Sequence, residues 1–157
     1  MNMMNNDVLR RIRYTFDFSD SEMIALFKAA DLTVTREQVS AWLKKDEDPH
    51  FQNCEDFQLA SFLNGFIVKK RGPKEGEPPK VEKSLTNNII LRKIMIALNL
   101  KSDDTLEILR LADFSLSPPE LSAFFRKSDH KHYRACQDQI LRNFLKGMQI
   151  KFRPSVN

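Results

Sequence analysis

Residues 5–12 read NNDVLRRI and residues 87–94 read NNIILRKI. Sliding the 157-residue chain over itself by 82 positions aligns 5–72 with 87–154 without a gap, with 19 identities in 68 pairs. Unrelated sequences of ordinary composition would agree at roughly one position in sixteen, so the chain carries an internal duplication. The shared residues include Arg10/Arg92, Asp31/Asp113, His50/His132, Cys54/Cys136 and Gly65/Gly147. Between the copies lies GPKEGEPPKVEKSLT, whose Pro, Gly and charge read as an exposed linker. The expected organisation is a first four-helix repeat over 1–72, a linker over 73–86 and a second four-helix repeat over 87–157.

Within each copy the apolar period is helical. Val8, Leu9, Ile12 and Phe16, matched by Ile90, Leu91, Ile94 and Leu98, form one face of a first helix. The Asn pair before them is expected to supply its N-cap oxygen. Ser19-x-x-Glu22 has capping-box spacing and opens a second helix with Met23, Ile24 and Phe27 on its buried stripe. Thr35-x-x-Gln38 and Ser117-x-x-Glu120 open the third helices, where Pro118 and Pro119 fall in a first turn whose N–H groups lack intrahelical partners anyway. Leu59, Phe62, Leu63 and Phe66, matched by Leu141, Phe144, Leu145 and Met148, define a fourth and longest helix. Gly65 and Gly147 interrupt that last pattern at a cost of about 1 kcal/mol each relative to Ala. Retention of a costly residue in both copies predicts a close backbone contact with another helix. The fold class is therefore all-α: a tandem duplication of a four-helix unit, about eight helices in all, the copies related by a pseudo-two-fold axis and pressed together because each alone has a small core. Each copy contains a helix-turn-helix-like element.

A composition of 41% hydrophobic and 29% charged residues is that of a folded, soluble chain. The start, MNMMNNDV, has no signal-peptide pattern, and no apolar run approaches the roughly 18 residues that span a bilayer. The expectation is a cytoplasmic protein with no membrane partner. Two cysteines in such a setting are expected to be reduced. Net charge is +4 with pI near 9.1, and the surplus lies entirely in the second copy: 12 basic against 7 acidic residues over 87–154, 10 against 11 over 5–72.

NNDVLRRIRY, VSAWLKKDED, QNC and FLNGFIVKKRGP in the first copy, with NNIILRKI, PPELSAFFRK and DQILRNFLKGMQIKFRP in the second, resemble the bacterial YehS-like family. The resemblance covers essentially the whole chain, repeat included. That family is one of unknown function, so it implies no catalytic or binding residue.

Three constellations invite a chemical role. His50-x-x-x-Cys54 and His132-x-x-x-Cys136, if helical, would each present imidazole and thiolate on one face, and two such pairs meeting at the pseudo-axis would make a Cys₂His₂ zinc site. The opposing interpretation makes both cysteines buried small hydrophobes with the histidines on the surface, and it is favoured because no CxxC or HxxH accompanies them. As a nucleophilic dyad the pairs lack an orienting third group. The four glycines cannot form GxGxxG or a P-loop. The second helix, the turn and the third helix place Ala29, Leu32, Val34, Val39 and Trp42 where a helix-turn-helix wants a small residue and core apolars. Copy two puts the large Leu111 at the small position and offers Pro118, Pro119, Glu120, Ser122 and Ala123 where a reader's donors belong, which argues against sequence-specific recognition there. Arg10, Arg11, Arg36, Arg92, Lys93, Arg126, Lys127, Lys131 and Arg134 are the candidates for partner or phosphate contacts.

No motif in the chain identifies an activity. The expectation is a non-catalytic helical module that binds a protein partner, with no cofactor, no metal and no small-molecule substrate. The alternative is a DNA- or RNA-binding regulator using the helix-turn-helix-like elements and basic helix faces with weak sequence specificity.

Overall fold

The structure, a computed structural model, describes residues 3–73 and 80–154. Those residues form eight helices and no strand: α1 (Asn5–Phe16), α2 (Asp20–Ala29), α3 (Arg36–Leu43), α4 (Asp56–Arg71), α5 (Asn87–Ala97), α6 (Ser102–Leu111), α7 (Pro118–Ala123) and α8 (Asp138–Phe152). The two copies are thus α1–α4 and α5–α8.

The expected capping boxes form at Ser19, Thr35 and Ser117, whose hydroxyls accept from the backbone N–H of Glu22, Gln38 and Glu120. The Asn pair does not cap. Met4 and Thr86 hold the N-cap positions, with Asp7 accepting from the Met4 N–H and Thr86 accepting from Ile89. The asparagines lie one residue further in, inside the first turn, where their side chains are free to bond elsewhere.

The turns between helices within each copy contain no glycine, because acids and an amide take its place. Asp17, Asp31, Asn99 and Asp113 adopt left-handed backbone, with φ of 53°, 63°, 54° and 58°. Each closes a Schellman-type turn: Leu32 N–H donates to the Phe27 carbonyl and Asp31 N–H to Lys28, repeated as Phe114 to Leu109 and Asp113 to Arg110. Short polar side chains tolerate this conformation better than others do.

One core runs through the whole molecule. It holds Leu9, Ile12, Met23, Leu26, Phe27, Leu59, Phe62, Leu63 and Phe66 from copy one with Leu91, Ile94, Ile108, Leu109, Leu141, Phe144, Leu145 and Met148 from copy two, all essentially inaccessible to solvent. Within a copy α2 packs on α4, and α6 on α8. Both crossings go through a glycine. A Cβ on Gly65 would sit 1.7 Å from the Leu26 carbonyl oxygen, and one on Gly147 would sit 1.9 Å from that of Ile108. Between copies α1 packs on α8 and α5 packs on α4. Exchanging the copies converts one seam into the other, as a two-fold relation requires.

These seams are large and continuous with the core. Proteolytic cleavage between residues 73 and 80 is therefore expected to leave both pieces in one species on size-exclusion chromatography in native buffer, separating only in denaturant. Separation in native buffer would show that the linker, not the seams, holds the halves together.

Candidate functional site

The repeated His-x-x-x-Cys segments are not helical. Residues 51–55 and 133–137 run without regular structure between the turn that follows the third helix and the start of the fourth. Cys54 and Cys136 are buried, each 4% exposed, while His50 and His132 lie on the surface. The shared face that a zinc site needed depended on a helix, and that premise fails. Among the described residues no group of three or more His, Cys, Asp and Glu is placed to hold a metal ion. Burial, reinforced by Asp56 and Glu55, pushes the Cys54 thiol up to about 12, and burial with Asp138 does the same to Cys136. Both are neutral thiols at physiological pH, which removes them as nucleophiles.

What fixes these segments is the Asn pair. The buried Asn6 amide donates to the Trp42 carbonyl at 2.9 Å and the Gln52 carbonyl at 2.8 Å, and its oxygen accepts from the Cys54 N–H at 3.0 Å. Asn88 repeats all three bonds with Phe124, Arg134 and Cys136. Asn5 and Asn87 donate to the Cys54 and Cys136 carbonyls and to Asp56 and Asp138. The octapeptide therefore ties the first helix of each copy to the entry of the fourth.

In the helix-turn-helix-like element Val34, Val39 and Trp42 are buried as expected, and so are Leu121 and Phe124. Ala29 is exposed, not clamped between helices, and Leu111 is 46% exposed. In copy two the third helix has only six residues and opens on two prolines.

The basic candidates separate into three environments. Lys93 is not on the outer face: it is 9% exposed in the α4–α5 seam, with Nζ 2.6 Å from Asn64 Oδ1 and 3.0 Å from Glu82 Oε1. The reason is that α5 lies against α4, which its own sequence does not announce. Arg10 is half-buried, paired with Asp7 and donating to the Lys44 carbonyl. Arg36, Arg92, Arg126, Lys127, Lys131 and Arg134 are exposed; Arg36 lies 3.9 Å from Asp20, and Arg134 donates to the Tyr133 carbonyl. Copy two has Ile89 where copy one has Asp7, so Arg92 lacks the carboxylate that holds Arg10.

Arg11, the counterpart of Lys93, lines an open groove in the α1–α8 seam. The groove has a volume of about 700 Å³ and is walled by Met3, Asp7, Arg10, Arg11 and Tyr14 on one side and Arg142, Leu145 and Gln149 on the other. Arg11 Nη1 donates to Gln149 Oε1 at 2.9 Å. Burial lowers its pKa from the ordinary arginine value, with Asp7 opposing the shift. At one end Arg153 stacks on the exposed Tyr14 ring, 4.0 Å from its centroid, and lies 3.5 Å from Asp17. Tyr14, Arg142 and Gln149 escaped the sequence-based list. Arg142 and Gln149 lie two turns apart on α8, and only the knowledge that α8 faces α1 joins them to Arg11.

The family described as "Protein of unknown function (DUF1456)" matches residues 5–72 and 87–153, one match per copy. The chain belongs to this family. The "Uncharacterized protein YehS" of Escherichia coli (strain K12) is 42% identical over 150 residues, covering 95% of this chain and 96% of that protein. No solved structure matches. The DUF1456 repeat therefore corresponds to one four-helix unit, and the groove belongs to the seam between two of them.

Proposed function

We propose that the protein is a non-catalytic helical binding module that acts in the cytoplasm through protein–protein contact, using the α1–α8 groove. The observation that supports this is the contrast between the two seams. The α4–α5 seam is crossed by the chain's own residues 80–85: Glu82 meets Lys93, and the Leu85 N–H donates to Asp56 Oδ2 at 2.8 Å. The remaining cavity there is about 350 Å³, against about 700 Å³ between α1 and α8. A cationic groove with an aromatic rim is a surface suited to partner recognition. The test is cross-linking of the tagged protein in its own cells followed by mass spectrometry. The expected result is cross-links from a partner to residues of α1 and α8; links confined to other faces would overturn the assignment.

A second reading has its own support, in copy two. Arg71, Arg92 and Arg126 have no ion pair or hydrogen-bond partner among the described residues, and with Phe125 and Tyr133 they surround two adjoining cavities on α5 and the α7 end. Cations beside aromatic rings suit nucleic acid. On this reading a random DNA duplex binds at low salt and is lost steeply as salt rises, through counterion release. Absence of binding at low salt removes it.

A further inference from the structure

The duplication supplies an internal example of how such a seam is occupied. In the α4–α5 seam a stretch without regular structure, Lys80–Leu85, bent at Lys83 and Ser84, brings a carboxylate to the cation on the opening helix. The attachment point at its end is shared by both seams. The Leu85 N–H donates to Asp56 at the start of α4, and the Met3 N–H donates to Asp138 at the start of α8, both at 2.8 Å. Beyond that shared point the seams diverge. Lys93 has Glu82 as an ion-pair partner; Arg11, at the equivalent position, has the neutral Gln149. Arg10 and Arg142 line the same groove, with Asp7 its one acidic lining residue. A partly desolvated guanidinium bonded to a neutral amide is poised to accept a bidentate carboxylate.

We infer that the α1–α8 groove takes an acidic, non-helical segment of a partner protein in the manner in which the α4–α5 seam takes residues 80–85, with a partner carboxylate on Arg11 where Glu82 meets Lys93. This rests on the protein-binding reading above and specifies its ligand. The linker itself provides the first probe, because its chemistry already fits the equivalent position. The acids added to the probe are matched to the three arginines, Arg10, Arg11 and Arg142, that line the groove.

The test uses the full-length protein labelled with ¹⁵N and two fluorescein-labelled ten-residue peptides. One carries the sequence of residues 78–87 with Lys80 and Lys83 replaced by Glu; the other has the same changes and Glu82→Lys. The expected result is saturable binding of the first peptide with amide shifts confined to α1 and α8. Affinity should fall at least tenfold for the second peptide, and likewise for Arg11→Gln and Arg142→Gln proteins whose melting temperatures match the parent. Shifts that map elsewhere, or an affinity indifferent to Arg11 and Arg142, would overturn the inference, as would the absence of binding at millimolar peptide. Cross-linking in cells separates the two levels. A partner captured equally by the parent and by Arg11→Gln leaves the protein-binding reading standing and removes the acidic-segment inference; no partner and no peptide binding removes both.

Discussion

Gly65→Ala is expected to destabilise the protein by about 3 kcal/mol or more, the scale of severe overpacking, with a matching drop in the urea midpoint. On helix propensity alone the change should stabilise by about 1 kcal/mol. Geometry reverses the sign. The added Cβ would lie 1.7 Å from the Leu26 carbonyl oxygen and 2.6 Å from its carbon, both backbone atoms that no rotamer change can move. A normal C···O contact is about 3.3 Å, so α2 would have to lift off α4 by roughly 1.5 Å, opening the contacts of Met23, Leu26 and Phe27. Gly147→Ala meets the Ile108 backbone in the same way and should cost a similar amount. The double substitution is expected to leave no cooperative unfolding transition. If Gly65→Ala unfolds at the parent's urea concentration, the crossing is not as close as described.

Asn6→Ala is expected to cost about 3 kcal/mol, because three backbone groups lose their partner at once and each buried unpaired group costs about 1–3 kcal/mol. Those groups are the carbonyls of Trp42 and Gln52 and the N–H of Cys54. Asn6→Asp should be no better, since it keeps the acceptor for Cys54 but turns a carboxylate toward two carbonyl oxygens. The change has a local signature as well. Cys54 is held in the core by the segment that Asn6 pins, so its alkylation should accelerate while that of Cys136, pinned by Asn88, stays slow. Equal rates at the two thiols would mean that the amide does not govern this segment.

The architecture was legible because duplication doubled every signal. Capping boxes at Thr35 and Ser117, and glycines at 65 and 147 on the apolar stripe of the fourth helices, each carried weight through agreement between copies. The burial of Cys54 and Cys136 beneath surface histidines was the favoured expectation and holds; the roles of the Asn pair and of Lys93, and what pins the His-x-x-x-Cys segments, were not legible, for one physical reason. Each is decided by which elements face each other, and that is set by tertiary packing and not by local period. An asparagine before an apolar run has the same sequence signature whether it caps the helix or reaches a loop 46 residues away. The groove was hidden in the same way: Arg11 was visible as a cation, but its companions on α8 were visible only as part of another helix. The missing turn glycines had a chemical explanation, because Asp and Asn reach left-handed backbone at tolerable cost and so left no distinctive signal.

The two seams also differ in when they are completed. α4 and α5 are neighbours along the chain, so their seam closes as soon as α5 emerges during synthesis. α1 must wait until α8 has been made, and although α3 and α4 cover part of it, the side that meets α8 stays uncovered through translation of the whole second copy. Nascent chains with such waiting surfaces are exposed to misassembly, which gives the polar, arginine-rich flank of α1 a solubilising duty before it has any partner to meet.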